Sequence, residues 1–470
     1  MIKQPQHKLE LSGKKVVVVG FRRTGAAVAE FLARRDAVVT VTDRDCEEEL
    51  APYVERIRRL SEGSRIRLEL GGHKPETFES ADLIVISPGV PHTIAPVQRA
   101  LSRNIPLMGE LELAGRFIEE PIVAITGTNG KTTTTELVGA MLSASGIKNF
   151  VGGNIGNPLI EYLDQKEKVR VVVAEVSSFQ LDTTSTFRPK AGILLNITDD
   201  HLDRYGDMKH YAESKARLFA QQEASDIAIL NAHDLAAHPF LAKVKSRKML
   251  FNLHETGHDY PIKEGALIQS GKILLRTAAG ADQELDLSAT PLPGLHNREN
   301  IAGAALCTLA VGGSIQGIQA AINSFKGLPH RITHVATLDG VKFYDDSKAT
   351  NVDAVKKAVE TFTEPVVLIM GGRDKGGFFE MLKDCVGRHV KALVVLGEAA
   401  DMIFGVLKDV VPVLRASTME EAVMIAREKS KSGDIVLLSP GCASFDMFEN
   451  YAKRGEAFVK AVTELEQQRG

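Results

Sequence analysis

The sequence has no strong excess of charge, no long hydrophobic run and few cysteines. Its 57 basic and 60 acidic residues leave a formal net charge of −3, which gives no electrostatic reason to expect nucleic acid as a partner. The longest apolar runs, such as VVVV at 16–19, fall far short of the roughly 20 residues that span a bilayer. The amino terminus lacks an apolar segment followed by a cleavage site, so we expect neither secretion nor membrane insertion.

The four cysteines are widely separated and form no CxxC pair, an arrangement that suits a reducing compartment. We therefore predict a cytoplasmic protein. The sequence also contains no fixed-period repeat and no low-complexity segment. With 470 residues, of which 44% are hydrophobic and 25% charged, it has the length and composition for two to four globular domains.

Short β-branched runs recur along the chain and alternate with helical patterns. Continuous apolar strands between helices indicate parallel sheets that are covered on both faces. The predicted strands are too many for one sheet, so we expect several α/β units with boundaries near 110–120 and 325–332. Residues 252–293 instead indicate short antiparallel strands with glycine turns. The predicted apolar strands lie in KVVVVG, VVTVT, DLIVIS, IVAIT, RVVVAEV, AGILLN, DIAIL, VVLIMG, ALVVLG and DIVLLS.

The first glycine turn, KVVVVGFRRTG at 15–25, has the form of a dinucleotide-binding turn, with Asp43 at the end of the next strand. The middle glycine is absent, however, and Arg22 stands where the backbone approaches pyrophosphate, which disfavours NAD. We predict that another nucleotide-like diphosphate binds at this helix N-terminus, with a solvated basic turn as the alternative. SPGVP at 87–91 follows another strand, at the edge where ligands collect or as a plain turn.

The strongest motif is AITGTNGKTTTTELV at 124–138. Its Gly130, Lys131 and Thr132 match the Gly-Lys-Thr that ends the phosphate-binding loop pattern, but Ile125 holds the leading glycine position and Gly127 comes two residues later. Gly127 and Gly130 would let backbone N–H groups surround anionic oxygens. Lys131 would supply charge to the outer phosphates, and Thr132 would offer a hydroxyl to Mg²⁺. The sequence therefore predicts a variant phosphate-binding loop.

Candidate metal ligands follow the next strands. Glu175 ends VVVAE, and NITDDHLDRYG brings His201 to the same expected sheet edge, where it could bind a hard metal or shape the phosphate path. Lys215 lies in the helical run MKHYAESKARLF and, on its own, indicates a solvated helix face. In the last third, YDDSKATN, GGRDKGG and SPGCASFD each adjoin an apolar strand. These three loops could converge and bind an anionic acceptor.

Taken together, the segments resemble those of the ATP-dependent Mur ligases, in the family's order and over essentially the whole chain. The segments that carry the resemblance are GTNGKTT, VGGNIG, EVSSFQLD, NITDDHLDRY, HN at 296–297, LPHR, DDSKATN and LLSPGCASFDMF. The resemblance implies an α/β fold of three domains. These are a Rossmann-like UDP-substrate domain at 1–112, a central P-loop-type ATP-binding domain at 113–327, and a Rossmann-like amino-acid-binding domain at 328–470.

SSFQL favours the branch of the family that adds D-glutamate to UDP-N-acetylmuramoyl-L-alanine in peptidoglycan precursor synthesis. The resemblance implies ATP, two Mg²⁺ ions, an acyl phosphate intermediate and small-molecule partners only, and we expect a monomer whose domains close about a pivot near 325–331. Two alternatives stay open at this stage. One is a sibling or folylpolyglutamate-type ligase with another acceptor, and the other is a P-loop NTPase switch.

The resemblance also assigns roles to single residues. The implied catalytic residues are Lys131, Asn154, Glu175, His201 and Lys215. The implied metal ligands are Thr132, Glu175, His201 and a carbamylated Lys215, which reverses the solvated-face interpretation of that lysine. The implied nucleotide contacts are Gly127, Thr128, Asn129, Gly130, Lys131, Thr132, Thr133, Asn297, Arg331 and Asp346. The implied substrate contacts are Thr24, Arg44, Ser87, Gly89, Asn154, Ser177 and Gln180, with Lys348, Thr350, Lys375, Ser444 and Tyr451 for the amino acid.

Overall fold

A computed structural model describes residues 9–60, 65–254, 264–277 and 282–467. Within these residues, sheets of five, nine and six strands follow one another along the chain. Each predicted apolar run forms a strand, so the α/β class is confirmed. The predicted division after 112 falls inside a short helix, Glu110–Gly115, and the division after 327 falls between the second and third sheets.

The first sheet is parallel and has the strand order β3-β2-β1-β4-β5. Its strands are β1 (Lys15–Val19), β2 (Val38–Thr42), β3 (Ile66–Glu69), β4 (Leu83–Ile86) and β5 (Leu107–Gly109). Its helices are α1 (Arg23–Ala33), α2 (Ala51–Arg58), α3 (Pro75–Glu79), α4 (Ala95–Ser102) and α5 (Glu110–Gly115). Val18 pairs with Val41 on one side and Val85 on the other. The strand order reverses between β1 and β4, where an open α/β sheet forms its ligand crevice.

The second sheet has the order β14-β13-β12-β11-β10-β9-β6-β8-β7. Its strands are β6 (Ile122–Thr126), β7 (Asn149–Gly153), β8 (Val171–Glu175), β9 (Ala191–Leu194), β10 (Ile227–Asn231), β11 (Arg247–His254), β12 (Gly265–Gln269), β13 (Lys272–Arg276) and β14 (Gln283–Asp286). Its helices are α6 (Lys131–Ala144), α7 (Leu159–Tyr162), α8 (Ser178–Leu181), α9 (Leu202–Tyr205), α10 (Met208–Ala216), α11 (Ala232–Ala237), α12 (Leu295–Ala310) and α13 (Ile315–Ser324). The predicted antiparallel strands are β12 to β14, which extend this sheet. The rest of that prediction, at 255–263 and 278–281, lies outside the described residues.

The third sheet has the order β15-β16-β20-β17-β18-β19, with β15 antiparallel to β16. Its strands are β15 (Thr333–Leu338), β16 (Val341–Asp345), β17 (Val366–Gly371), β18 (Val390–Leu396), β19 (Val413–Arg415) and β20 (Ile435–Gly441). Its helices are α14 (Val352–Val359), α15 (Lys383–His389), α16 (Ala400–Leu407), α17 (Met419–Glu428) and α18 (Tyr451–Gln467).

Apolar side chains fill the layers between sheets and helices. Alternate residues of β8 face opposite ways, because successive side chains in a strand point to opposite faces. Val172 joins a buried cluster that also contains Phe31 and Leu111 from the first domain, whereas Val173 packs with Ile301 of α12. The first two sheets therefore share one continuous core. No helix in the described ranges is both long and apolar enough to cross a membrane.

The link from α13 to β15 has an unusual backbone. Gly327, His330 and Ile332 have φ angles of +83°, +61° and +47°. Ile332 is β-branched, and a left-handed conformation at such a residue costs roughly 1–3 kcal/mol. His330 Nδ1 lies 2.6 Å from Asp345 Oδ2, which ties the link to β16. This link overlaps the predicted pivot at 325–331, while the closure movement itself stays a prediction.

Candidate functional site

The glycine turn between β6 and α6 can be built only with glycine at two positions. Gly127 has a φ of +154° and Gly130 a φ of +83°. A Cβ atom on Gly127 would lie 2.9 Å from Leu195 Cβ, and one on Gly130 would overlap Asn300 Oδ1. The turn therefore approaches its neighbours closely at two positions where only glycine fits, while phosphate binding by the turn stays a prediction.

Asn196, two residues after the end of β9, holds this turn in place. The Asn129 N–H donates to Asn196 Oδ1 at 2.8 Å, and Asn196 Nδ2 donates to the Asn129 carbonyl at 3.1 Å. The Thr128 N–H donates to the Asn196 carbonyl at 2.9 Å. Because Asn196 follows β9 and the turn follows β6 in the same sheet, the second sheet itself fixes the conformation of the turn. The sequence prediction did not single out Asn196, although an asparagine shortly after a buried strand was the available signal.

Two lysine amines converge on the carbonyl of Gly127. Lys131 Nζ donates to it at 2.8 Å and Lys215 Nζ at 2.9 Å. Lys215 is 1% exposed, and its amine lies 4.4 Å from the ring centroid of Tyr211. Burial lowers the pKa of Lys131, and burial together with the Lys131 charge holds the pKa of Lys215 well below its usual value. The solvated-face interpretation of Lys215 is therefore wrong, because α10 packs this residue beneath the turn.

Glu175 offers a free carboxylate oxygen beside the turn. The side chain is 2% exposed, and its Oε1 accepts a hydrogen bond from Asn154 Nδ2 at 2.8 Å. Its Oε2 is buried without a hydrogen-bond partner among the described residues. Buried polar atoms are nearly always satisfied, so this oxygen suits a cation held at the loop. Thr132 lies at the start of α6, 9% exposed, where its Oγ1 accepts a hydrogen bond from Lys348 Nζ at 3.1 Å.

His201 lies on the same side of the sheet, with a φ of +56°. Its ring centroid is 4.8 Å from that of Phe179 and 6.3 Å from that of Tyr211. Burial lowers the pKa of His201 against the opposing effect of Asp200. The ring is thus held neutral near pH 7, the form in which imidazole acts as an acceptor or metal ligand.

A cavity of about 410 Å³ lies between the second and third sheets. Its walls bring together residues that the sequence assigned to the nucleotide from distant segments. These are Asn129, Gly130, Thr133, Asn297, Arg331 and Asp346. Burial raises the pKa of Asp346 to about 7, and its Oδ2 accepts a hydrogen bond from Ser439 at 2.9 Å. The Nε of Arg331 is buried without a partner in the described structure, which leaves a donor for a bound anion.

A second cavity, of about 600 Å³, occupies the crevice of the first sheet. Its lining includes all four first-domain residues predicted to contact substrate, Thr24, Arg44, Ser87 and Gly89. The side chain of Arg44 is 85% exposed and lies 3.3 Å from Asp45. A Cβ atom on Gly25 would overlap the Gly20 carbonyl, so the missing middle glycine does not prevent a tight strand-to-helix turn.

Two pairs can be placed among the five residues predicted to bind the amino acid. Thr350 and Lys375 line a cavity of about 190 Å³, opposite Asp200 of the central domain. Lys348 Nζ lies 5.0 Å from the ring centroid of Tyr451, and burial lowers the pKa of Lys348 to about 8. Ser444 is 2% exposed.

Ser177 and Gln180 already have a structural role in the protein. The Ser177 hydroxyl accepts the Gln180 N–H at 3.3 Å, and Gln180 Oε1 accepts the Ser177 N–H at 3.0 Å. This reciprocal capping box starts α8. Substrate contact by this pair stays a prediction.

Two polar residues at the start of α14 were missed by the sequence prediction. Asn351 and Asp353 contact the glycine turn across the junction between domains. Acidic residues are common in the first turn of a helix, where they interact favourably with the helix dipole. The sequence position of Asp353 therefore did not predict its contact with the glycine turn.

Comparisons with known proteins agree along the whole chain. Family profiles described as "Mur ligase MurD-like, N-terminal domain", "Mur ligase middle domain" and "Mur ligase, glutamate ligase domain" match residues 14–109, 125–308 and 330–442. The chain is 49% identical to a UDP-N-acetylmuramoylalanine–D-glutamate ligase of Desulfatibacillum aliphaticivorans, covering 97% of this chain and 100% of the relative. It is 47% identical to the enzyme of that name from Desulfosudis oleivorans, covering 98% of each.

A solved structure supports the same fold. The UDP-N-acetylmuramate–alanine ligase of Thermotoga maritima superposes with a TM-score of 0.59 at 17% identity, covering 96% of this chain and 100% of that one. At 17% identity this structural match shows that the fold is the same. Membership of the family is shown by the sequence matches, which cover nearly the full length of the chain. The chain belongs to the Mur ligase family, and its near relatives within it bear the name UDP-N-acetylmuramoylalanine–D-glutamate ligase.

Proposed function

We propose that this protein is an ATP-dependent ligase that joins D-glutamate to UDP-N-acetylmuramoyl-L-alanine. The observation that carries the proposal is the cavity beside the glycine turn, which contains predicted nucleotide contacts from both the central and the carboxyl-terminal domains. We infer the two substrates from the names of the near relatives, which are UDP-N-acetylmuramoylalanine–D-glutamate ligases. ATP and these substrates are small molecules, and we assign the reaction to the cytoplasm, where ATP is supplied, and to a monomer.

The reaction has two steps. A carboxylate oxygen of the L-alanyl end attacks the γ-phosphorus of ATP, and the bond from that phosphorus to the ADP oxygen breaks, which leaves an acyl phosphate. The amine of D-glutamate then attacks the acyl carbon to form a tetrahedral intermediate. Inorganic phosphate leaves as the amide forms, and the nitrogen loses a proton.

The residues around the glycine turn suit the first step. Lys131 would neutralise charge on the transferred phosphoryl group, and the backbone N–H groups of 127–130 would surround the phosphates. Thr132 and Glu175 would hold one Mg²⁺, since a buried carboxylate oxygen of Glu175 lacks a partner in the described structure, and His201 would help to hold a second. The metal would supply positive charge that offsets the phosphate oxygens. Asn154 orients Glu175 through its 2.8 Å hydrogen bond.

Carbamylation of Lys215 is part of the same proposal. A lysine amine must be neutral to add to carbon dioxide, and burial of Lys215 lowers its pKa in that direction. The carbamate would replace a cation with oxygen ligands of the kind that Mg²⁺ prefers. The proposal is supported by the position of the Lys215 amine below Gly127, since a carbamate there would lie beside the proposed phosphate site.

The substrates would occupy the remaining cavities. Thr24, Arg44, Ser87 and Gly89 line the first-domain crevice and would bind the uridine diphosphate end. Lys348, Thr350, Lys375, Ser444 and Tyr451 would bind D-glutamate. The two cationic side chains of this group would complement the carboxylates of the amino acid.

A panel of amino acids tests the proposal. Purified protein with ATP, Mg²⁺ and UDP-N-acetylmuramoyl-L-alanine is given D-glutamate, L-glutamate, L-alanine or a diamino acid, and ADP and the UDP-linked product are measured. We expect product with D-glutamate alone. Product with another amino acid would indicate a sibling ligase, and rapid phosphate release without either substrate would indicate an NTPase switch.

A further inference from the structure

The side chain of Asp353 joins the carboxyl-terminal domain to the glycine turn. Its Oδ2 accepts hydrogen bonds from Asn129 Nδ2 at 2.8 Å and from Thr198 Oγ1 at 3.3 Å. Both donors belong to the central domain, whereas Asp353 lies in the first turn of α14. Its side chain is only 17% exposed and also lies 3.0 Å from Lys357 Nζ, one turn further along the same helix.

Asn351 forms a second arm of this contact. Its Oδ1 accepts the Ala354 N–H at 2.9 Å and so caps α14, which fixes the side chain. Its Nδ2 donates to Asn129 Oδ1 at 3.1 Å and to Asp200 Oδ2 at 3.3 Å. Asn129 is therefore bound at both ends of its amide by the carboxyl-terminal domain, while its backbone is held by Asn196.

The contact lies directly after the segment that carries Lys348 and Thr350. Any movement of α14 away from the glycine turn would move these two residues with it, since they precede the helix by only a few residues.

We propose that Asp353 is a positioning residue, which holds the carboxyl-terminal domain against the glycine turn so that the acceptor-binding side chains face the phosphate site. The inference rests on the proposed ligase function for its catalytic consequence, but the docking of the two domains does not. Because a hydrogen bond to a charged group changes an equilibrium by about tenfold or more, loss of this carboxylate shifts the docked population measurably.

A matched control is available in the same domain. Asp401 occupies the same second position of α16, which like α14 has eight residues, and it pairs with Arg415 at 2.8 Å. Its side chain is 83% exposed. Asp401→Ala therefore removes an acidic residue from an equivalent helix start without a contact to the glycine turn. Asp353→Asn keeps an oxygen that can accept from Asn129 and Thr198.

The experiment measures inter-domain distance in the full chain without ligand. Spin labels are attached to cysteines placed at the exposed Lys148 and Lys408, with the exposed Cys46 changed to Ser, and distances are read by pulsed electron resonance. We expect Asp353→Ala to lower the ratio of docked to undocked chains about tenfold, Asp353→Asn to recover part of that loss, and Asp401→Ala to match the unsubstituted chain.

Ligation assays complete the test. We expect Asp353→Ala to lower kcat about tenfold and leave KM for the UDP substrate unchanged, since that site lies in the first domain. An unchanged distance distribution in Asp353→Ala overturns the proposal, and so does a drop in thermal midpoint without a distance change, which would mark a helix-stabilising residue. If the unsubstituted chain fails to ligate D-glutamate, the proposed function fails and the distances alone decide the positioning role.

Discussion

Asn154 Nδ2 donates to Glu175 Oε1 at 2.8 Å, while the other carboxylate oxygen of Glu175 is buried without a hydrogen-bond partner among the described residues. One oxygen is therefore oriented and the other is free to meet a cation. The pair connects the start of the loop after β7 with the end of β8, beside the glycine turn.

Glu175→Gln should weaken metal binding and leave the fold intact. The glutamine oxygen can still accept from Asn154, but the charge and the second carboxylate oxygen are lost. We expect the affinity for Mn²⁺, used as a paramagnetic substitute for Mg²⁺, to fall at least about tenfold, since charge-assisted contacts are roughly twice as strong as neutral ones. Glu284→Gln, on the exposed edge of the same sheet, is the control. Equal Mn²⁺ affinity in the two variants would show that Glu175 is not a metal ligand.

Lys131→Ala should reduce turnover while the protein stays folded. Loss of one charged donor to a transition state costs about 3 kcal/mol, or ~10² in kcat. ADP formation under saturating substrates measures the rate, and circular dichroism checks the fold. The control is Lys148→Ala, which changes an exposed lysine shortly after the end of α6, the helix that Lys131 begins. We expect this variant to have normal turnover. Undiminished turnover of Lys131→Ala would refute the role of this amine.

Lys215→Ala should lose activity that short carboxylates partly restore. Formate or acetate can enter the space left by the side chain and supply oxygen ligands in place of a carbamate. The measurement is ADP formation over a series of carboxylate concentrations, with Lys131→Ala as the variant that no carboxylate rescues. Failure of every carboxylate tried would count against carbamylation.

Gly130→Ala should disrupt the turn through a clash as well as through strain. The added Cβ overlaps Asn300 Oδ1, and the φ of +83° is left-handed. Gly71→Ala is the matched control, because Gly71 has a φ of +79° and nothing within 4 Å of its added Cβ. We expect the control to lose about 1–2 kcal/mol of unfolding free energy with normal nucleotide affinity. Gly130→Ala should lose more stability and bind a nonhydrolysable ATP analogue more weakly.

His296 should make the protein sensitive to acid. Burial, aided by Lys357 and Arg331, lowers the pKa of His296 to about 4 from its usual 6.5. The unfolded chain then binds more protons than the folded one between pH 6.5 and 4, so unfolding free energy falls as pH falls through this window. His296→Gln should flatten that part of the profile in urea denaturation. An identical pH slope in both proteins would show that the ring is not desolvated.

Local patterns were sufficient for much of the fold. Each of the ten predicted apolar runs forms a strand in the structure, because a strand that is buried on both faces needs continuous apolar residues. The glycine turn was equally readable, since Gly127, Gly130, Lys131 and Thr132 act within one turn of chain. Strands such as β7 and β15 were not predicted from the sequence, because glycine or polar residues interrupt their apolar pattern.

What the sequence by itself determined is the ten apolar strands, the alternation of strands with helices, and the glycine turn before α6, all of which depend on residues a few positions apart. Only the tertiary structure decided that Lys215 is buried below Gly127, that Asn297 and Arg331 share one cavity, and that Asp353 reaches Asn129. The physical reason is that periodicity reports the local backbone and its buried face. Which faces meet depends on the packing of elements that lie from tens to hundreds of residues apart.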